Sequence, residues 1–247
     1  MKKRNVSDLH HGREVWKDLE QVSYGRSAER VFEDWLDLML AAYLSVTDNL
    51  SRPDFEEKLK ANKLDGTYED RYMEIAKRYA DDHPKSKRAI DYFAAATREL
   101  VKATTESGTD VLGEIYMAMI TFGQHGQFFT PQHISTAIVK MLGVEDGESV
   151  NDPACGSGTM LIEAGKQNPN ALITGCDLDH RCAKMAALNM YIFDLNATIY
   201  WGNTLTMEFY TEWRIGKGGF MWEREIPKQE RETAPAKKSG QQELFAA

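Results

Sequence analysis

The stretch Asn151-Asp152-Pro153-Ala154-Cys155-Gly156-Ser157-Gly158-Thr159 decides the fold. It reads as the end of a short strand (149–152), a turn on two glycines, and the start of a helix over roughly 159–166. Glycine lets the main chain approach a ligand, and the N-terminus of a helix favours a negative group. Downstream come a second strand at 171–177, a helix near 179–193 and a third strand at 197–201. Strands alternating with helices imply right-handed βαβ units and a parallel sheet.

Upstream, a helix near 110–122 leads into His125-Gly126-Gln127-Phe128-Phe129-Thr130-Pro131. There Thr130 reads as an N-cap and Pro131 as the first position of a helix to about Met141. The first 107 or so residues are helical in pattern. Ser27 caps a stripe of Val31, Trp35, Leu38, Met39, Ala42 and Val46, and shorter pieces fall at 53–62 and 68–81. After His83-Pro84 an amphipathic helix runs from about 86 to 106. These stripes read as core packing. Beyond Phe209 a hairpin is expected around Gly216-Lys217-Gly218-Gly219, and from Pro227 to Gly240 the chain reads as a flexible polar tail. The expected organisation is a helical N-terminal domain (1–108), a sheet domain (109–209) and a C-terminal extension (210–247).

Composition narrows the function classes. The 247 residues carry 30 Lys+Arg against 38 Asp+Glu, a net charge of -8, which speaks against tight autonomous binding to phosphate backbones. A nucleic-acid substrate would need a partner for much of its grip. No apolar run approaches the roughly 18 residues of a membrane helix, and the basic start lacks the apolar core of a secretory signal. Cys155, Cys176 and Cys182 form neither a C-x-x-C pair nor a disulfide framework, so a reducing cytoplasm is expected. No metal-ligand set is read.

A lone G-x-G is shared by many strand–helix turns. Here, however, the second strand ends on Asp177, where a ribose diol would be received. The third glycine of a dinucleotide fingerprint is absent, because Leu161 stands in its place. A nucleoside without a pyrophosphate fits better than a nicotinamide dinucleotide. S-adenosylmethionine is such a ligand.

Asp152-Pro153-Ala154-Cys155-Gly156-Ser157-Gly158 resembles motif I of amino-directed DNA methyltransferases, and Gly126-Gln127-Phe128-Phe129-Thr130-Pro131 resembles their motif X. Gly175-Cys176-Asp177 and Gly202-Asn203-Thr204-Leu205 are similar to motifs II and III. Together they resemble the adenine-N6 modification subunits of type I restriction–modification systems, well over 110–207 and in outline over 1–109. The resemblance implies an α/β fold, with a helical N-terminal region before a partial Rossmann-like sheet of class I methyltransferase type. It also implies roles. Gln127 to Pro131 would line the methionine end of S-adenosylmethionine, with Thr130 bonding its carboxylate. Asp152 would face its amino group, Gly156, Ser157 and Gly158 would allow close backbone approach, Asp177 would hold the ribose, and Asn203 would read the adenine. Each has a plainer reading: Phe128 and Phe129 as core aromatics, Asn203 as a strand-end turn residue.

The departure from the family is as informative. Its catalytic tetrad, Asn-Pro-Pro-Tyr or Asn-Pro-Pro-Phe, orients the target amine and stacks on the flipped base. No such string occurs here. Asn168-Pro169-Asn170 is the nearest, and it lies between motifs I and II. About 40 residues follow motif III, too few for the remaining strands and a target-recognition domain. The expectation is a cofactor-binding component with no catalytic residue of its own. Complementary methyltransferase or specificity subunits would complete it and supply the hold on DNA. The alternative is a degenerate methyltransferase kept as a binding module in mobile-element or phage conflict. Finally, Gln241-Gln242-Glu243-Leu244-Phe245 resembles the peptide by which bacterial proteins dock on the polymerase sliding clamp, with Gln241 as anchor and Leu244 and Phe245 entering an apolar pocket.

Overall fold

The computed structural model describes residues 6–50, 54–60, 66–80, 88–121 and 129–232. Gly126, Gln127, Phe128 and the Gln241–Phe245 string lie outside the described residues. Ten α-helices and five strands are described: α1 (Arg13–Val22), α2 (Ala28–Leu50), α3 (Phe55–Lys60), α4 (Thr67–Lys77), α5 (Ala89–Ser107), α6 (Val111–Ile115), α7 (Gln132–Leu142), β1 (Ser149–Asp152), α8 (Thr159–Gln167), β2 (Leu172–Asp177), α9 (His180–Ile192), β3 (Ala197–Asn203), β4 (Glu208–Gly216), β5 (Phe220–Glu225) and α10 (Lys228–Glu232).

The helical N-terminal region and the βαβ order are as the sequence predicts. Val31, Trp35, Leu38 and Met39 of α2 are buried, and the Trp35 indole N–H donates to Thr97 Oγ1 on α5 at 3.0 Å. One apolar cluster runs from Trp16 and Trp35 through Leu112 to Ile173 and Ile199, so the leader and the sheet share a core. Charge also joins them. Lys184 of α9, 2% exposed, meets Asp37 of α2 at 2.7 Å, and Arg71 of α4 links Asp37 to Glu223 of β5 at 3.0 Å each.

The sheet has strand order β1-β2-β3-β4-β5. β1 to β3 are parallel, as expected, but β4 and β5 run antiparallel. Four residues separate β3 from β4, far fewer than the dozen or so that a parallel crossover needs. The turn expected around Gly216–Gly219 joins β4 to β5, with Gly218 and Gly219 at φ +85° and +79°. The polar segment from Pro227 departs from a flexible reading at its start: residues 228–232 form α10, which packs against β4. Upstream of the sheet, α7 begins one residue later than expected. Pro131, extended at ψ 142°, takes the cap position in place of Thr130. No described helix is long and apolar enough to cross a membrane.

Candidate functional site

The cleft opens at the carboxyl ends of the parallel strands, where open α/β sheets bind their ligands. Phe129, Thr130, Asp152, Ala154, Cys155, Gly156, Ser157, Thr159 and Met160 line about 320 Å³ open to solvent. Motif I and the described end of motif X are thus brought together.

The loop between β1 and α8 is held from three sides. The Cys155 N–H donates to the carbonyl of Cys176 at 2.9 Å, and the Gly158 N–H to that of Cys155 at 2.8 Å. Gly156 and Gly158 lie at φ +56° and +88°, the left-handed region that glycine occupies without steric cost. The Phe129 ring rests on Gly156 and stacks on Tyr116, centroids 5.6 Å apart. A Cβ on Gly156 would stand 3.0 Å from that ring. Phe129 is therefore packed between the loop and the π-helical turn Tyr116–Thr121, which the sequence pattern reads as ordinary helix.

Asp177 closes the loop against β2. One carboxylate oxygen accepts the Gly156 N–H at 2.8 Å and the other the Asp179 N–H at 2.9 Å. Burial pushes its pKa up, and those two N–H groups pull against the shift. Asp152 lines the cleft and accepts the Ala154 N–H at 3.1 Å; burial raises its pKa too. Two carboxylates thus converge on one glycine loop. Thr130 faces the same cleft.

Like Asp177 and Gly158, Asn203 stands outside the cleft lining. Its Oδ1 accepts the N–H groups of Leu205 and Thr206 at 3.0 and 3.3 Å, closing the turn after β3, and it is absent from the cleft wall. Next to it Thr204 Oγ1 donates to the Pro153 carbonyl at 3.1 Å, which ties the β3 turn to the β1 loop.

The strongest element of the site is one that no motif names. Asp110, the N-cap of α6, is buried beneath the loop. Its Oδ1 accepts from the Gly113 N–H and from Asn189 Nδ2, each at 2.7 Å; its Oδ2 accepts from the hydroxyls of Ser157 and of Thr159, the latter at 2.8 Å. Asn189 also donates to the Ser157 carbonyl at 2.8 Å. Segments far apart in the chain meet on this carboxylate: α6, the glycine loop with the start of α8, and α9. Burial pushes its pKa up against all four donors. The only sequence signal was local: an acid before Val111-Leu112-Gly113, a helix-capping pattern that carries no hint of a long-range role. Gly113 completes the arrangement, since a Cβ there would lie 2.2 Å from Asp110 Oδ2 and 2.5 Å from Ser157 Oγ.

Comparison with known proteins agrees with this layout. The profile of the family N-6 DNA Methylase matches residues 107–216, from the end of α5 to the end of β4. The MjaVIII methylase subunit, a type I restriction enzyme subunit of Methanocaldococcus jannaschii, is 31% identical over 112 residues, 41% of this chain and 19% of that protein. The type II restriction enzyme and methyltransferase RM.BcgI of Heyndrickxia coagulans is 32% identical over 82 residues, 30% of this chain and 13% of that protein. The chain thus spans about a fifth or less of these two relatives. A crystal structure of a modification subunit of a putative type I restriction enzyme from Vibrio vulnificus YJ016 covers 78% of this chain and 54% of its own, at 14% identity and a TM-score of 0.43. The stretch that builds the cleft matches the N-6 DNA Methylase family, and the chain resembles the modification subunit of type I restriction systems.

Proposed function

We propose that the chain is the S-adenosylmethionine-binding component of an adenine-N6 DNA methyltransferase of restriction–modification type, completed by a partner that supplies the catalytic tetrad and DNA recognition. The observation that carries this reading is the pair of carboxylates, Asp152 and Asp177, held on a glycine loop with both glycines at positive φ. The residues present fit the cofactor. Asp152 would receive its amino group, Thr130 its carboxylate and Asp177 its ribose hydroxyls, while Gly156, Ser157 and Gly158 leave room for its methionine end. Gly126, Gln127, Phe128 and Pro131 would complete that end. Asn203 would reach the adenine through its amide nitrogen, because its oxygen is engaged in the turn. When bound, the cofactor supplies an electrophilic methyl group.

Titration calorimetry with S-adenosylmethionine tests the reading. The wild-type chain is expected to bind, and Asp177→Ala to weaken binding by about 1–3 kcal/mol, the usual loss for a charged hydrogen-bond partner. Equal affinity for the two proteins would remove Asp177 from the ribose site.

A second expectation concerns activity. Without the tetrad, the purified chain should transfer no methyl group to duplex DNA, because nothing holds the adenine amine in line with the donor. Radiolabel incorporated into adenine by the chain alone would overturn partner dependence. The Gln241–Phe245 string, in turn, would tether the complex to the sliding clamp through Gln241, Leu244 and Phe245. A peptide spanning 236–247 that shows no clamp binding at high micromolar concentration removes that contact.

A further inference from the structure

Tyr116 belongs to none of the motif stretches, yet it stands where two of them meet. It follows α6 directly and opens the π-helical turn Tyr116–Thr121, which the Thr121 hydroxyl braces by donating to the Tyr116 carbonyl at 3.4 Å. Single π-helical turns recur at functional sites. Tyr116 is fully buried, one ring away from the cleft. Phe129, which lines the cleft, stacks on it with centroids 5.6 Å apart and planes inclined by 16°.

Three other groups fix the Tyr116 ring. The Phe32 ring of α2 lies 5.9 Å away between centroids, and the Arg181 guanidinium of α9 lies 5.6 Å from its centroid. Arg181 is itself anchored, by Asp179 at 2.8 Å and by Glu29 of α2. The Tyr116 hydroxyl donates to the same Asp179 carboxylate at 3.5 Å, a long and therefore weak bond. A ring enclosed on these sides has little freedom to tilt.

These contacts close a circuit about the glycine loop. The Asp179 N–H donates to Asp177, Asp177 also accepts the Gly156 N–H, and Gly156 carries the Phe129 ring. Phe129 stacks on Tyr116, and the Tyr116 hydroxyl returns to Asp179. The links differ in strength. Those through Asp177 are charge-assisted bonds of 2.8 and 2.9 Å, whereas Phe129 is held by stacking and packing. Loss of the Tyr116 plane would therefore disturb Phe129 and leave both N–H donors on Asp177.

We infer that Tyr116 is a positioning residue for the methionine end of the cofactor. Buried behind the cleft wall, it acts through Phe129: its ring sets the plane of Phe129 over Gly156, and so the shape of the wall that Phe129 shares with Thr130 and Asp152. The inference rests on the proposed function, which makes that wall the methionine side of S-adenosylmethionine.

Titration calorimetry of the full chain with two probes tests it. S-adenosylhomocysteine carries the amino-acid end, and methylthioadenosine has the same adenosine without it. Tyr116→Leu removes the aromatic plane and keeps an apolar side chain. It should weaken S-adenosylhomocysteine about five-fold, a loss within reach of one aromatic pair, and methylthioadenosine by less than about two-fold, the scatter of independent sites. Tyr116→Phe restores the plane and should recover most of the loss. Phe129→Leu should show the same split, and adding Tyr116→Leu to it should cost little more, because both act through one ring. An equal loss for the two probes in Tyr116→Leu would make Tyr116 an ordinary core residue and overturn the inference. Unchanged affinity for S-adenosylhomocysteine, or additive losses in the double variant, would overturn it too. Should the leucine protein not fold, Tyr116→Met gives the same reading, since its flexible side chain fills the space without a plane. An even loss for the two probes in Phe129→Leu overturns the inference with no change at Tyr116. Wild-type protein that binds neither probe removes the proposed function itself; wild-type binding without the split removes only the positioning role.

Discussion

Asp110→Ala is expected to lower the unfolding free energy by about 1–3 kcal/mol, the cost of leaving a buried hydrogen-bond donor without its acceptor. The substitution leaves the Gly113 N–H, the Asn189 amide and the Ser157 and Thr159 hydroxyls without their common acceptor. The two hydroxyls can turn to other acceptors and Asn189 keeps the Ser157 carbonyl, but the Gly113 N–H is fixed by its helix and is left without one. Asp110→Asn separates shape from charge. Its oxygen can keep Gly113 and Asn189, and its NH2 can donate to the two hydroxyls, so most of the loss should be recovered. Urea denaturation of the three proteins reads the series, and an alanine variant within 1 kcal/mol of wild type would show that the carboxylate is a bystander.

The same pair of proteins carries a pH signature. The folded-state pKa of Asp110 lies above its ordinary value of 3.8, so the folded chain holds the proton more tightly than the unfolded one. This group's contribution therefore favours folding at low pH and declines as pH rises from that ordinary value through the folded one. Asp110→Asn removes the decline. Its stability relative to wild type should rise across that interval and level off above it, which thermal melts at a series of pH values will show.

Why the sequence exposes the cleft but hides this hub is a matter of range. Gly156, Gly158 and Asp177 announce themselves because a strand, a tight turn and a helix start occupy adjacent positions, and each constrains residue type locally. Asp110 and Asn189 are 79 positions apart, and their pairing follows from how α6 and α9 pack, which no local pattern encodes. The β4–β5 hairpin is legible in its glycine turn, but the antiparallel pairing of β4 with β3 is not, for a related reason. Its direction is set by the four-residue connection after Asn203 and not by its own composition. Conversely, the stripe of α2 is legible at Val31, Trp35, Leu38 and Met39, and that of α5 in part: Phe93 and Leu100 are buried, whereas Ala94 and Val101 of the expected Ile90, Phe93, Ala94, Leu100 and Val101 stripe are exposed. The π-helical turn at Tyr116–Thr121 left no mark, since an inserted residue only shifts that period by one position.

Gly156→Asp is expected to weaken S-adenosylmethionine binding at least about 100-fold, roughly 2.7 kcal/mol. Three effects act together. A side chain at φ +56° costs about 1–2 kcal/mol in the left-handed region. Its Cβ meets the Phe129 ring at 3.0 Å and must move a ring that Tyr116 holds by stacking. The new carboxylate adds a like charge beside Asp152 and Asp177, whose pKa values burial already raises. Gly156→Ala removes the charge and keeps the first two effects, so it should lose less affinity. Adding Phe129→Ala to Gly156→Ala removes the clash as well, at the loss of the ring's own packing. If the contact with Phe129 dominates, the double variant binds more tightly than the sum of the single losses allows, a coupling of at least about 0.5 kcal/mol. If backbone strain dominates, the losses add. Wild-type affinity in Gly156→Asp would mean that the ligand does not approach this loop, and the cleft reading would fall with it.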